Sequence, residues 1–281
     1  MGKPVFYQNV AIITGASSGI GRELAFQLAD QGAYLSLGAR DKQRLDSTAA
    51  QCQARGGRTI TTQTDVTDQA QCQNLVKQTV DEFGRIDTLI NNAGISMRAL
   101  FEELEDLSIL ERLMQVNYFG AVYCTHYALP YLKETKGRIA AVASLTAING
   151  VPTRIGYAAS KHAMKGFFDS LRIELADSGV TVTISYPDFV ATEARQRALG
   201  ADGQPIGDSP LDEHKVMTVE RCVQLLVKAI EQRKREDKQT LKAKLGPWAK
   251  LIAPSLVDQI AQKAVHGGKT DPGVDHHAWG R

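Results

Sequence analysis

The chain has 281 residues, 43% of them hydrophobic and 23% charged, a balance that suits a globular protein and excludes disordered, collagen-like and coiled-coil readings. Thirty-three basic against thirty-one acidic side chains leave a formal charge of +2, so no chain-wide attraction to nucleic acid is expected. The length fits one large α/β domain with a short extension.

Cys52, Cys72, Cys124 and Cys222 lie far apart, with no C-x-x-C pair and no histidines at metal-binding spacing. They read as idle thiols, and no metal is expected. Residues 1–10 carry no signal-like pattern, and no run approaches the roughly eighteen apolar residues of a spanning helix, which makes a reducing cytoplasm the expected compartment.

From Asn9 onward, short runs of Val, Ile and Leu alternate with longer segments of helical period, the rhythm of βαβ units. Strands are expected near 9–14, 33–39, 58–63, 86–91, 138–143 and 180–186. Helices are expected near 19–31, 41–55, 68–83, 104–133 with a break near Asn117, 156–177 and 218–233. The strands lack strict alternation because helices would cover both faces of a parallel sheet. The fold class is therefore α/β, a doubly wound, Rossmann-like parallel sheet. Composition shifts at Arg233, giving a main α/β domain over 1–235, an amphipathic extension over 236–265 and a flexible tail over 266–281.

The first strand runs into Gly15, Gly19 and Gly21 and then a helical pattern. Glycines here let the backbone turn sharply and approach a phosphate, while the helix N-terminus offers free N–H groups. Ser17, Ser18 and Ile20 belong to the same candidate phosphate loop. At the end of the second strand, where dinucleotide folds often place an acid for the ribose, stand Ala39 and Arg40. A guanidinium there suits a 2′-phosphate, so NADP is the expected cofactor and NAD the alternative, Asp41 being a displaced ribose acid or a helix cap. Asp65 and Val66 are candidates for the adenine end, with a plain turn as the other reading. Asn91, Asn92, Ala93 and Gly94 close the fourth strand as a turn beside a ligand.

Tyr157 and Lys161 stand four residues apart, hence on one helical face, with Ser144 ending the preceding strand. Using tyrosine as an acid or base at about pH 7 requires roughly three units of pKa lowering, about 4 kcal/mol of anion stabilisation. Lys161 and a positively charged nicotinamide are suited to supply it.

With Gly15, Gly19 and Gly21, Asn91 to Gly94, Asn117, Ser144, Tyr157 with Lys161, and Pro187 to Thr192 in this order, residues 8–232 resemble the short-chain dehydrogenase/reductase family. The resemblance implies Tyr157 as proton donor or acceptor, Ser144 as polariser of the substrate oxygen, Lys161 as ribose binder and pKa modifier, and Asn117 as anchor of a proton-relay water. It places Pro187, Val190 and Thr192 beside the nicotinamide, although the family often has Pro-Gly where this chain has Pro187 and Asp188. It also implies a seventh strand, for which 237–243 is the only candidate.

The implied function is an NADP-dependent oxidoreductase acting on a small-molecule carbonyl or secondary alcohol of hydrophobic character. A catalytically inactive NADP-binding sensor or scaffold is the competing reading, disfavoured because a sensor needs the groove but not the acid–base set. Residues 193–217 are expected to form a lid, with Ile95, Met97, Leu145, Ile148, Ile155 and Phe189 walling the site. Over 238–263, Leu241, Leu245, Trp248, Ile252, Leu256 and Ile260 recur at helical intervals, and five lysines with Asp258 give +4. Pro247 and Pro254 should divide this stretch into short helices. Its apolar stripe either packs on the same subunit or a symmetric neighbour, the favoured reading and one that makes a homo-oligomer, or rests on an anionic membrane surface.

Overall fold

The structure is a computed structural model that describes residues 2–207 and 216–266. Its first half alternates β1 (Val10–Thr14), α1 (Gly19–Ala29), β2 (Tyr34–Ala39), α2 (Lys42–Ala54), β3 (Arg58–Gln63), α3 (Gln69–Phe83) and β4 (Thr88–Asn91). The second half holds α4 (Ser108–Met114), α5 (Gly120–Glu134), β5 (Arg138–Val142), α6 (Ile155–Glu174), β6 (Thr181–Tyr186), α7 (Val219–Glu231), β7 (Glu236–Lys238), α8 (Leu241–Ile252) and α9 (Pro254–His266).

The seven strands form one parallel sheet in the order β3-β2-β1-β4-β5-β6-β7. Both faces are buried, so β1 is apolar from Val10 to Ile13 while its side chains still alternate between two cores. Ala11 and Ile13 pack with Leu24, Leu28, Val223 and Leu226 of α1 and α7; Ile12 packs with Leu75, Leu132 and Phe168 of α3, α5 and α6. The strand order reverses between β1 and β4, and a crevice opens there beyond the strands' C-terminal ends, where doubly wound sheets hold their ligands.

Local chemistry sets the element ends. Asp41 caps α2 by accepting from the Arg44 amide at 3.0 Å, and Asp68 caps α3 by accepting from those of Ala70 and Gln71 at 2.8 and 3.2 Å. The helix expected over 104–133 begins only at Ser108, and its break is a π turn at Gln115–Phe119 centred on Asn117.

The seventh strand covers Glu236–Lys238, not 237–243, because Leu241 already opens α8. Three charged residues make this edge strand. Buried Asp237 accepts from the Ser185 hydroxyl at 2.7 Å and from Gln239 Nε2 at 2.6 Å. Pro247 lies inside α8 and does not divide it; Pro254 does mark a boundary, opening α9. All four cysteines are free and buried.

Among the described residues, nothing covers the stripe expected on the extension. Leu241, Leu245, Trp248, Ile252, Leu256 and Ile260 are all exposed, Ile252 to 84%. The tail over 267–281, with His276 and His277, lies outside the described residues.

Candidate active site

The crevice widens into a continuous cleft of about 1580 Å³ reaching from Arg40 to the inner faces of α8 and α9. Its floor is the loop after β1. Gly15 and Gly19 adopt φ of +67° and +53°, values that a side chain would strain. A Cβ on Gly15 would lie 2.9 Å from Ala93 Cα, and one on Gly21 only 2.3 Å from the Gly15 carbonyl oxygen. The loop and α1 are thus pressed together with no room for side chains, leaving a backbone cradle at a helix N-terminus of the kind a pyrophosphate fills. Ser17, Ser18, Gly19 and Ile20 line the cleft, whereas Gly21 is buried beneath it. The Thr14 hydroxyl accepts from the amides of Asn92 and Ala93, both at 3.0 Å, and Asn92 Nδ2 donates to the Thr14 carbonyl at 2.9 Å. Those bonds lock β1 to β4, with Ala93 and Gly94 facing the cleft.

At the far end, Arg40 is exposed and lines the cleft, and its guanidinium has no partner among the described residues. Asp41 is committed to its cap. Asp65 accepts from the Thr67 amide and hydroxyl at 3.0 and 2.8 Å, closing a turn, while it and Val66 also line the cleft. Asp65 thus closes the turn and also faces the cleft. The nicotinamide dinucleotide implied by the sequence fits this groove.

Ser144, Tyr157 and Lys161 meet on the cleft wall, brought together by the end of β5 and the first turns of α6. The Ser144 hydroxyl accepts from the Thr146 amide at 3.2 Å and stands near enough to the Tyr157 phenol to pull its pKa down. Lys161 Nζ lies 5.8 Å from the Tyr157 ring centroid and donates to the Val142 carbonyl at 2.8 Å. Burial pushes the Lys161 ammonium down to about 8. Burial also pushes the Tyr157 phenol above its ordinary value, overcoming the downward pull of Ser144 and of the Arg154 charge. The lowering expected from Lys161 is thus not what the protein's own groups produce: desolvation wins, and at neutral pH the phenol keeps its proton.

Asn117 is fully buried behind this set. It accepts from the Ile95 amide at 2.8 Å and donates to the Ile95 carbonyl at 3.0 Å and to the Ser160 hydroxyl at 2.8 Å. Pro187, Val190 and Thr192 also line the cleft. Of the apolar wall expected from sequence, Ile95, Leu145 and Phe189 face the cleft. Met97 instead lies in a small core with Ile109, Leu113 and Leu199, Ile148 packs on the α5–α6 side of the sheet, and Ile155 points outward at 47% exposure. Part of the expected lid, residues 208–215, lies outside the described residues; before it, Arg197, Leu199, Gly203 and Gln204 border the cleft.

A profile for short chain dehydrogenase matches residues 9–202. The chain is 38% identical over 252 residues to 11-beta-hydroxysteroid dehydrogenase-like 4A of Arabidopsis thaliana, covering 88% of this chain and 82% of that protein. It is 34% identical over 259 residues to 11-beta-hydroxysteroid dehydrogenase 1A of the same plant, covering 90% and 74%. Against 11-beta-hydroxysteroid dehydrogenase A of Sesamum indicum it is 33% identical over 257 residues, covering 89% and 74%. The chain belongs to the short chain dehydrogenase family.

As a short chain dehydrogenase, it is an oxidoreductase of a family that uses a nicotinamide cofactor. Sequence reasoning missed several residues of its cleft. Ser96 and Arg154 meet near Tyr157, and Arg197 Nη2 donates to the Ser18 hydroxyl at 2.9 Å. Glu193 binds Arg44 and also faces Arg22 at 3.9 Å and Arg197 at 3.5 Å, tying the segment after β6 to α1 and α2. These partners stand up to 179 residues apart, and no local pattern announces them. The period of the extension did announce its helices, but not that Leu245 and Ala249 of α8 and Val257 and Ile260 of α9 would border the cleft. Among the described residues, no helix is long and apolar enough to cross a membrane.

Proposed function

We propose that this short chain dehydrogenase is an NADP-preferring oxidoreductase acting on a hydrophobic carbonyl or secondary alcohol, with Tyr157 as its acid–base group. The observation that carries the reading is one cleft joining Arg40, unpaired among the described residues, at one end to Ser144, Tyr157 and Lys161 at the other. A nicotinamide, when bound, supplies or takes the hydride. Tyr157 holds the proton at its phenol oxygen and gives it to the substrate oxygen in reduction, or receives it in oxidation. Ser144 orients that oxygen, Lys161 holds the ribose hydroxyls, and Asn117 keeps the π turn and its relay water in register with Lys161. Pro187, Val190 and Thr192 border the nicotinamide, and Arg40 takes the 2′-phosphate. Leu145, Phe189 and Leu245 on the wall, together with relatives named for 11-beta-hydroxysteroids, point to substrates of steroid-like size and polarity.

NADPH consumption measured over aldehydes, aliphatic ketones, ketosteroids and long-chain keto compounds tests the reading, and absence of turnover on all of them would leave the sensor role. Arg40→Ala should weaken NADPH binding by about 1.5–3 kcal/mol, the scale of a charge-assisted bond, and leave NADH nearly unchanged. Equal losses for both cofactors would reject the 2′-phosphate contact.

The catalytic unit is assigned to residues 1–235 in the cytoplasm, with 236–265 as its extension. The exposed stripe of α8 and α9 is covered in the working protein by a symmetric neighbour or by an anionic lipid surface, the latter favoured by Lys242, Lys244 and Lys250 beside Trp248 and Ile252. Truncation at Arg235, read by sedimentation with anionic and neutral vesicles and by solution mass, separates them. Salt-sensitive vesicle binding lost on truncation supports the lipid surface; a changed oligomer without vesicle binding supports the neighbour.

A further inference from the structure

Beyond Tyr157, three segments close the substrate end of the cleft, and they are stitched to one another by backbone bonds. The Leu199 amide donates to the Ser96 carbonyl at 2.9 Å, the Arg98 amide to the Leu199 carbonyl at 2.8 Å, and the Ala99 amide to the Thr153 carbonyl at 3.1 Å. Each segment brings an arginine: Arg98, Arg154 and Arg195. Arg154 lines the cleft immediately before α6, and its Nη1 donates to the Ser96 hydroxyl at 2.5 Å. A guanidinium has five N–H donors, so this bond leaves most of its capacity unused.

A half-buried arginine ordinarily has a carboxylate against it, because desolvating the charge is costly without one. Arg154 has none among the described residues. Glu111 and Asp188 also face the cleft, and neither bonds to it. Burial, and after it the charges of Arg98 and Arg195, push its pKa below the ordinary arginine value against an upward pull from Tyr157. Arg195 stacks on Phe189, 5.5 Å from the ring centroid, which holds a second positive charge beside an apolar wall.

We propose that Arg154 and Ser96 form an anion-binding subsite, and that the protein's preferred substrates carry an oxyacid group, a carboxylate or sulfate, on an apolar body that also bears the reacting carbonyl or alcohol. The inference rests on the oxidoreductase reading above and names the substrate class within it. Planar N–H pairs recognise a carboxylate or sulfate edge through two parallel bonds, and Leu145, Leu199 and Phe189 supply the apolar surround that strengthens them.

The test compares 3-benzoylpropionate with its methyl ester, two ketones of one skeleton that differ in charge. The wild type should show kcat/KM at least tenfold higher for the acid. Arg154→Gln should lower the acid-to-ester ratio ten- to a hundredfold, mostly through KM, and Arg154→Lys should restore part of it. Using a ratio cancels any general loss of folding or of Tyr157 reactivity. A ratio unchanged by Arg154→Gln would overturn the subsite and leave Arg154 as a group that acts only on the Tyr157 phenol. Calorimetric titration of both compounds into NADPH-loaded Tyr157→Phe reads binding without turnover. Tighter binding of the acid that vanishes with Arg154→Gln supports the subsite, and equal binding of acid and ester rejects it. If neither ketone nor any other carbonyl is reduced, the oxidoreductase reading fails while this titration still decides the anion site.

Discussion

Tyr157→Phe is expected to cut turnover by roughly 10²–10⁴-fold while NADPH affinity stays near that of the wild type. The substitution keeps the ring that packs beside Leu113 and Met97 and removes only the phenol oxygen. Burial keeps the phenol protonated at neutral pH, the state that the proposed role of acid in carbonyl reduction requires. In the oxidative direction the phenolate is needed, and the rate should rise with pH as the phenol ionises; the variant should lose that dependence. Cofactor affinity read by protein-fluorescence quenching separates loss of chemistry from loss of the groove. Near wild-type turnover by Tyr157→Phe on several carbonyls would require another acid.

The parallel sheet was legible because strands buried on both faces read as unbroken apolar runs, and because each turn from strand to helix carries its own chemistry, as at Gly15 or Asp41. The positions of Ser144, Tyr157 and Lys161 were legible for a similar reason: helical spacing sets two of them side by side, and the strand end delivers the third. What escaped the sequence depends on distant partners. β7 consists of Glu236, Asp237 and Lys238, residues that avoid strands on average, and it is held by the bond between Asp237 and Ser185 across 52 residues. Met97 sits inside a small core and not on the cleft because its segment is bridged to Leu199. The stripe of α8 was visible as a period, but period alone says nothing about which surface it faces. Arg154 gave no signal at all, since its neighbours Ser96, Arg98 and Arg195 come from other segments.

Lys161→Met is expected to abolish most turnover and, separately, to change how stability depends on pH. The ammonium is 3% exposed, and burial takes it from an ordinary 10.5 to about 8, a difference of about 3 kcal/mol between charged and neutral forms. The unfolded chain holds the Lys161 proton up to about pH 10.5, whereas the folded chain releases it near pH 8. Below pH 8 both states are charged, and folding bears the full cost of burial. Between pH 8 and 10.5 the unfolded state binds more protons, so the lysine's cost shrinks as pH rises. A methionine fills similar volume with no charge and no such window, though it leaves the Val142 carbonyl without its 2.8 Å donor. Denaturant midpoints at pH 7 therefore balance a relieved charge against a lost bond. The slope decides: from pH 8 to 10.5 the wild type should gain about 3 kcal/mol relative to Lys161→Met, with little relative change from pH 6 to 7.5. Parallel curves across the whole range would show that Lys161 is solvated well enough to keep its ordinary basicity. At neutral pH the cost of burying this ammonium, on the wall of the cleft beside Tyr157, is thus offset in part by its bond to Val142.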